Sequence, residues 1–527
     1  MFNKYYQDEL LYLRESGREF AEANPEAARF LAQPGADPDV ERMLEGVAFL
    51  TARLRQKLDD ELPELTHSFT EMFWPHYLRP VPATAIMQFT ALPAAAGEVR
   101  PIPAGVRTDS VPVDGTRCPF VTCYPVTLLP LELKTADLRR EAPPKLTLTF
   151  ELPGKLPLDK LDIPAIRLHL AGEPAVTRPL FLALNRFVRR VTVRDGADPA
   201  RAFSPAPDCI RPVGFGEAES VLRGPGASFP GFRLLQEYFV CPQKFMFVDM
   251  GGLEPLRNFA GSRAFTIELE FSRLPENMPP VSRANLLLHC TPAVNLFAHD
   301  ADPVRLDRTR TEYTLRPAGE NPGHFEIHSV DRVSGLVVGT SEIREFRPQF
   351  RLPRSGARGQ VYYQVRRHPP VTGGNQVLTI SFVEPPTDAP NIETASIELT
   401  CTNGALPARL EPGDIATATQ SSPLFASCRN IGRPTATVPA PLKDDLLWRL
   451  VAHLSLNYMS LLSVDALRSL VGLYNFRANF DRQAEQSHNR LIEGIRAVAG
   501  RPATRLMEGL PVRGLEVELV LDEDLLG

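Results

Sequence analysis

This chain of 527 residues lacks the short signatures by which enzymes of its size usually betray their chemistry. There is no G-x-S-x-G elbow, no phosphate-binding loop and no dinucleotide glycine fingerprint. The densest glycine cluster, Gly224-Pro-Gly-Ala-Ser-Phe-Pro-Gly, contains prolines without backbone donors and is not followed by Lys-Ser, so it reads as a loop. Long apolar runs are also missing. The most apolar stretch, Leu446 to Leu462, is broken by Arg449, His453 and Asn457, which argues against a membrane span. A surplus of basic charge is absent too: the formal net charge is −5, so no field gathers nucleic acid or anionic lipid. The cluster Arg186, Arg189, Arg190 and Arg194 reads as a solvated sheet face. The start, MFNKYYQDELLYL, carries acids and no uncharged run, and is not a signal peptide. Cysteine is scarce: seven residues, an odd number and widely scattered, read as reduced thiols in the cytoplasm. Cys118 and Cys123 are close, but no second pair completes a zinc site, so no metal or cofactor is expected.

What is abundant is proline. The 51 prolines are about twice the usual share and lie mainly between Pro80 and Pro441, which implies many short strands, edges and turns. Ahead of them stands a helix-patterned block. Tyr6, Leu10, Leu13, Gly17 and Phe20 recur at spacings of four and three, one narrow seam of a helix of the kind used when helix packs on helix. That seam is either buried in the protein's own core or offered to another chain. Asn24-Pro25 opens a short helix to about Ala32. Asp37-Pro38 caps a long helix whose apolar face is Val40, Met43, Leu44, Val47, Leu50, Leu54 and Leu58. Pro63 begins another, to about Trp74.

From Ala83 the period switches to alternation. Ala85 to Thr90, Lys145 to Leu152 and Ile166 to Leu170 are half-buried strands, and Asp114-Gly115 and Ala104-Gly105 are turns. Phe229 to Met250 is the most aromatic stretch and reads as a core brace: a short helix, a proline break and a buried strand. Further strands follow at Phe265–Phe271, Asn285–His289, Gly335–Val338, Val361–Val365, Val377–Phe382 and Ile397–Cys401. A Thr/Ser/Pro/Ala passage from Ala416 to Pro441 leads to helices from Asp445, from Ser463 to Tyr474 and from Arg482 to Ala499, then a final strand from Gly514. The fold class is therefore α+β and multidomain. The expected divisions are 1–82 (helical), 83–208 and 209–435 (both antiparallel β) and 436–527 (helical, ending in a strand). His324 and His328 share a strand face but have no ligand partners at metal spacing. His289, His299, Asp300 and Asp302 form the densest polar group and offer the alternative reading, a hydrolytic or carbohydrate-active β-rich enzyme with its site near His289–Asp302.

Several motifs together resemble one family. Tyr5-Tyr-x-x-Glu-Leu-x-x-Leu-Arg-Glu-x-Gly-x-Glu-Phe, Asp37-Pro-Asp-Val-Glu-Arg-x-Leu-Glu-Gly and Ala48-Phe-Leu-Thr-Ala stand at the head. Ile102-Pro-Ala-Gly, Leu234-Leu-Gln-Glu-Tyr-Phe-x-x-Pro-x-Lys-Phe, Val294-Asn-Leu-Phe and Leu447-Trp-Arg-Leu-x-x-x-Leu-Ser-Leu-Asn-Tyr follow in order. These resemble the TssF (ImpG/VasA) family of type VI secretion baseplate subunits. The resemblance implies a cytoplasmic, non-enzymatic scaffold that packs with a TssG-like subunit, a second TssF copy and a TssK-like adaptor, in wedges beside TssE and the VgrG hub and under the contractile sheath. It turns Tyr6, Leu10, Leu13, Gly17 and Phe20 toward a partner bundle, with the Val40–Leu58 face kept internal. The family runs on after the acidic strand with an apolar, aromatic segment, whereas this chain stops at Gly527, which implies a truncation or a member without that end.

Overall fold

The computed structural model describes all residues except 1, 25, 27–36, 60–62, 94–96, 155, 223–228, 307–309, 338–342, 350–361, 369–374, 384–391, 443–445, 456–461, 508–509, 523–524 and 526–527. Among the described residues the α-helices are α1 (Phe2–Ala23), α2 (Pro38–Asp59), α3 (Pro63–Phe73), α4 (Pro174–Leu182), α5 (Pro230–Val240), α6 (Leu446–Ser455), α7 (Val464–Leu473) and α8 (Arg482–Glu493). The chain divides into two compact units, Met1–Leu78 with Leu442–Ser455, and Arg79–Pro441 with Leu456–Gly527. The short helix expected up to Ala32 lies outside the described residues.

The first unit is helical. The Asp37 carboxylate accepts from the backbone N–H groups of Asp39 (2.9 Å) and Val40 (3.4 Å), the N-cap that starts α2. Helices α1 and α2 pack as a hairpin around Leu10 and Ala21 of α1 and Ala48 and Ala52 of α2, all buried. Ion pairs Arg14–Glu41 and Arg55–Glu9 (2.7 Å) run along its flanks.

The second unit is β-rich, and its modules are nested. A six-stranded sheet joins Thr84–Ala91, Arg107–Ser110 and Pro119–Thr122 to Cys290–Val294, Ile415–Ala418 and Ala426–Asn430. Its strand Thr84–Ala91 pairs on one side with Cys290–Val294 and on the other with the edge strand Ala426–Asn430. Two modules are inserted into this platform. The first is a sandwich: a five-stranded sheet containing Lys145–Glu151, Val188–Asp195 and Ala264–Phe271, and a four-stranded sheet containing Ile166–Leu170, Phe247–Met250 and Leu286–Leu288. Their inner faces share one core, with Leu148, Phe150, Leu168, Val193, Val248 and Ile267 all at 1% exposure or less. The second is an eight-stranded sheet from Phe297 to Thr402. It curls back on itself: Asp302 N–H donates to Arg316 O and Ala318 N–H to Asp300 O, both at 2.8 Å, closing a barrel around Ile327, Val333, Leu378, Ile380, Ile397 and Leu399.

Mixed α and β structure in several domains is what the patterning predicts, but three details differ. The expected boundary at 208 runs through the sandwich, because Val188–Asp195 and Ala264–Phe271 are hydrogen-bonded neighbours. The Thr/Ser/Pro/Ala passage contributes two platform strands, Ile415–Ala418 and Ala426–Asn430. And the helix expected to Ala499 ends at Glu493, since Gly494 is followed by a long strand, Ile495–Met507, whose backbone is taken up by the ladder with Leu510–Leu521.

Candidate interaction surfaces

On α2 both sides of the helix are apolar, but only one is used. Its inner side is Ala48 and Ala52, small enough to let α1 approach closely. Its outer side is Met43, Val47, Leu50 and Leu54, at spacings of four, three and four, with exposures of 71, 47, 63 and 62%. Four large apolar side chains at a/d spacing and left in water are the geometry of a helix awaiting a helix. Burying each stabilises by about 1.5–3 kcal/mol. Of the residues expected on the partner-facing seam of α1, Leu10 is buried inside the hairpin, Tyr6, Leu13 and Gly17 are half-buried, and Phe20 is exposed. The neighbouring Leu11 and Tyr12 are exposed as well.

An aromatic clamp steadies α3 and α6 inside the same unit. Trp74, fully buried, stacks on Tyr77 with ring centroids 3.7 Å apart and on His453 at 4.2 Å with the rings nearly parallel. Arg449 donates to the Tyr77 hydroxyl at 3.0 Å. Burial pushes the Tyr77 phenol up, the arginine opposing it, and burial pulls His453 down to about 4. The Trp-Arg-Leu-x-x-x-Leu motif thus brings an arginine to the clamp, while Trp448, Val451 and Leu454 point their apolar area outward.

In the β-rich unit the motif residues are structural. Glu237 and Lys244 are fully buried and form an ion pair across the Cys241-Pro242 turn. The Glu237 carboxylate also accepts from the backbone N–H groups of Val221 (2.7 Å) and Leu222 (2.8 Å), and Lys244 Nζ donates to Glu219 O at 3.0 Å. Every formal charge is therefore answered, the condition under which such a pair is tolerated in an interior. The aromatic run hid it from periodicity; two opposite charges seven residues apart inside an apolar stretch were the available signal. Asn295 of Val294-Asn-Leu-Phe is a second hub. It donates to Pro119 O (2.8 Å) and Asn403 Oδ1 (2.9 Å) and accepts from Thr402 Oγ1 (2.8 Å) and Asn403 N–H (2.7 Å), using its full capacity.

The polar group behind the enzymatic alternative is dispersed. His289 lines a small cavity of about 180 Å³ with Arg167, Asp249 and Cys290, and neither His299 nor Asp302 contributes to its walls. The His289 ring accepts the Leu129 backbone N–H at Nε2 (3.1 Å), so its proton sits on Nδ1, and burial holds it down at about 4. His299 donates from Nε2 to Ala318 O at 2.8 Å and is stacked on Phe325. His324 meets Thr116 Oγ1 at 2.7 Å, while His328 is buried, with its basicity suppressed by desolvation and by Arg79 and Arg367. Burial pushes thiols up, Cys118 to about 11 and Cys401 and Cys428 to about 12, which makes them poor nucleophiles. Among the described residues no group of three or more His, Cys, Asp or Glu side chains could hold a metal ion. Nor is any described helix long and apolar enough to cross a membrane.

With the geometry in view, the relatives can be placed. A family model for the type VI secretion system protein TssF matches residues 1–527. The chain belongs to the TssF family. It is similar to the type VI secretion system component TssF1 of Pseudomonas aeruginosa, at 33% identity over 99% of this chain and 90% of that protein. Among solved structures it is similar to a chain of the TssK-TssF-TssG baseplate subcomplex seen by cryo-electron microscopy, with 31% identity, 92% of this chain and 90% of that one covered, and a TM-score of 0.73. A chain of a type VI secretion baseplate complex matches at 28% identity over 98% of this chain and 89% of its own length, with a TM-score of 0.58. As a TssF-family member the chain is a structural component of the type VI secretion baseplate.

Proposed function

We propose that this chain is a non-catalytic scaffold of a cytoplasmic baseplate wedge and that it joins a TssG-type subunit through the outer side of α2. The observation carrying this reading is the exposed seam Met43, Val47, Leu50 and Leu54, with Phe20, Leu11 and Tyr12 of α1 as flanking apolar area. The seam expected from the sequence is thereby divided: Leu10 serves the hairpin, and Phe20 remains available. A partner helix laid along α2 would complete a bundle whose inner half is already formed. A TssK-type adaptor, a second copy of this chain, TssE and the VgrG hub complete the proposed surroundings.

Co-expression with TssG-like and TssK-like subunits tests it. Wild-type chain is expected to co-purify with both, at two copies per TssG-like subunit by native mass spectrometry. The double substitution Leu50→Asp with Leu54→Asp is expected to abolish co-purification while far-UV circular dichroism stays unchanged. Undiminished complex with both aspartates in place would overturn the α2 reading.

A further inference from the structure

In α5 the usual arrangement of a surface helix is reversed. Its two charged residues turn inward: Glu237 to the Lys244 pair and Arg233 to Glu237 at 3.9 Å, with Gln236 and Val240 buried beside them. Its apolar residues Leu234, Leu235 and Tyr238 instead line a groove against Arg178 and Phe181 of α4, with Phe215 at one end. The groove has a volume of about 460 Å³. Phe215 is 50% exposed and Tyr238 43%: each leans on the buried Phe245 and leaves the rest of its ring uncovered. Because Glu237 is tied to the Val221 and Leu222 backbone and to Lys244, α5 cannot roll to hide them without unpairing a buried carboxylate.

Charge specifies what would fit. Among the described residues of the groove walls the one charged side chain is Arg178, which is exposed and has no ion pair, and none is acidic. The Tyr238 hydroxyl is likewise without a partner among the described residues. An apolar floor with a cation and a hydroxyl that are unpaired among the described residues matches an amphipathic segment with a carboxylate beside its anchors. We propose that the groove between α4 and α5 receives a short segment of another protein chain, in which two or three apolar side chains stand next to an Asp or Glu that pairs with Arg178. This surface belongs to the β-rich unit and does not depend on the α2 reading.

The test uses the full chain, produced in its host with the rest of its secretion apparatus and carrying the photo-crosslinker p-benzoylphenylalanine in place of Tyr238. Irradiation is expected to give one product, joined to a single segment of a different chain with an acidic residue within a turn of its apolar anchors. In an Arg178→Glu background the yield should fall about tenfold, the scale of one charge-assisted hydrogen bond. It should return when the segment's carboxylate is changed to lysine. Arg178 is exposed, so an unchanged thermal melt is the folding control. A product within this same chain, no product at all, a segment without a carboxylate, or a yield indifferent to Arg178→Glu would each overturn the proposal. So would a small apolar molecule retained in the groove by native mass spectrometry.

Discussion

In the sandwich, Leu146, Leu148 and Phe150 alternate along one strand and none is more than 1% exposed, whereas on α2 Met43, Leu50 and Leu54 stand more than 60% in water. The two regions are equally apolar in pattern but differ in what they are given to pack against. A sheet strand meets an opposing sheet of the same module; among the described residues of the helical unit, nothing covers the outer face of α2. One region is finished by its own chain, and the other, on the proposed reading, is finished by a partner. Both tryptophans, Trp74 and Trp448, lie in the helical unit, so their fluorescence follows that unit while the strand band of circular dichroism follows the other.

That optical separation lets the comparison be broken deliberately. The largest effect is expected from Phe150→Ala, a large-to-small change in a closed core costing about 3–5 kcal/mol. Urea titration should show the strand transition moving and the fluorescence transition staying; movement of both together would mean the units unfold as one. Of similar size is Lys244→Met, which strands the Glu237 carboxylate at about 3–5 kcal/mol. Adding Glu237→Gln should recover much of that loss, and a double variant no better than the single would refute the pairing account.

Acid comes next. Desolvation holds His169 at about 4, partly opposed by its Nδ1–H bond to Met246 O (3.1 Å). The unfolded chain, with a histidine near 6.5, binds the proton first, so this contribution is present above about pH 6.5 and is lost as pH falls toward 4. It amounts to on the order of 3 kcal/mol, and His169→Gln should flatten that part of the strand transition's pH profile.

The smallest change in stability is expected at Leu50→Asp, about 0.5 kcal/mol or less because the site is already wet. Leu10→Asp, on the α1 side of the same hairpin, should instead cost about 3 kcal/mol by burying a carboxylate. If fluorescence melts rank the two the other way round, the division of inner and outer faces is wrong.

Much of this was legible in the residues. The alternation of Lys145–Leu152 and Phe265–Phe271 marks strands that the structure contains, and Asp37-Pro38 marks a helix start that the Asp37 carboxylate indeed caps. Periodicity states which side chains turn inward, but not toward what. Thr84 pairs with Val294 and Gln88 with Arg429, partners no local pattern can announce, so nested modules read as consecutive ones. On α2 the same limit operates at the scale of a helix: the Val40–Leu58 face was expected to be internal, but Ala48 and Ala52 take the side buried against α1, while Met43, Val47, Leu50 and Leu54 stand exposed. The ion pair of Glu237 and Lys244 was masked because the aromatic residues around it accounted for burial without it.

The nesting of the platform also sets a timetable. Its strand Thr84–Ala91 leaves the ribosome early, but its two neighbours, Cys290–Val294 and Ala426–Asn430, arrive hundreds of residues later. At about 5–20 residues per second that is a wait of tens of seconds. The sandwich and the barrel, whose strands pair within their own insertions, can close in the meantime. The platform is thus the first part of the β-rich unit to be synthesised and the last to be assembled, and until then the edges of Thr84–Ala91 are the strand in the nascent chain most in need of protection.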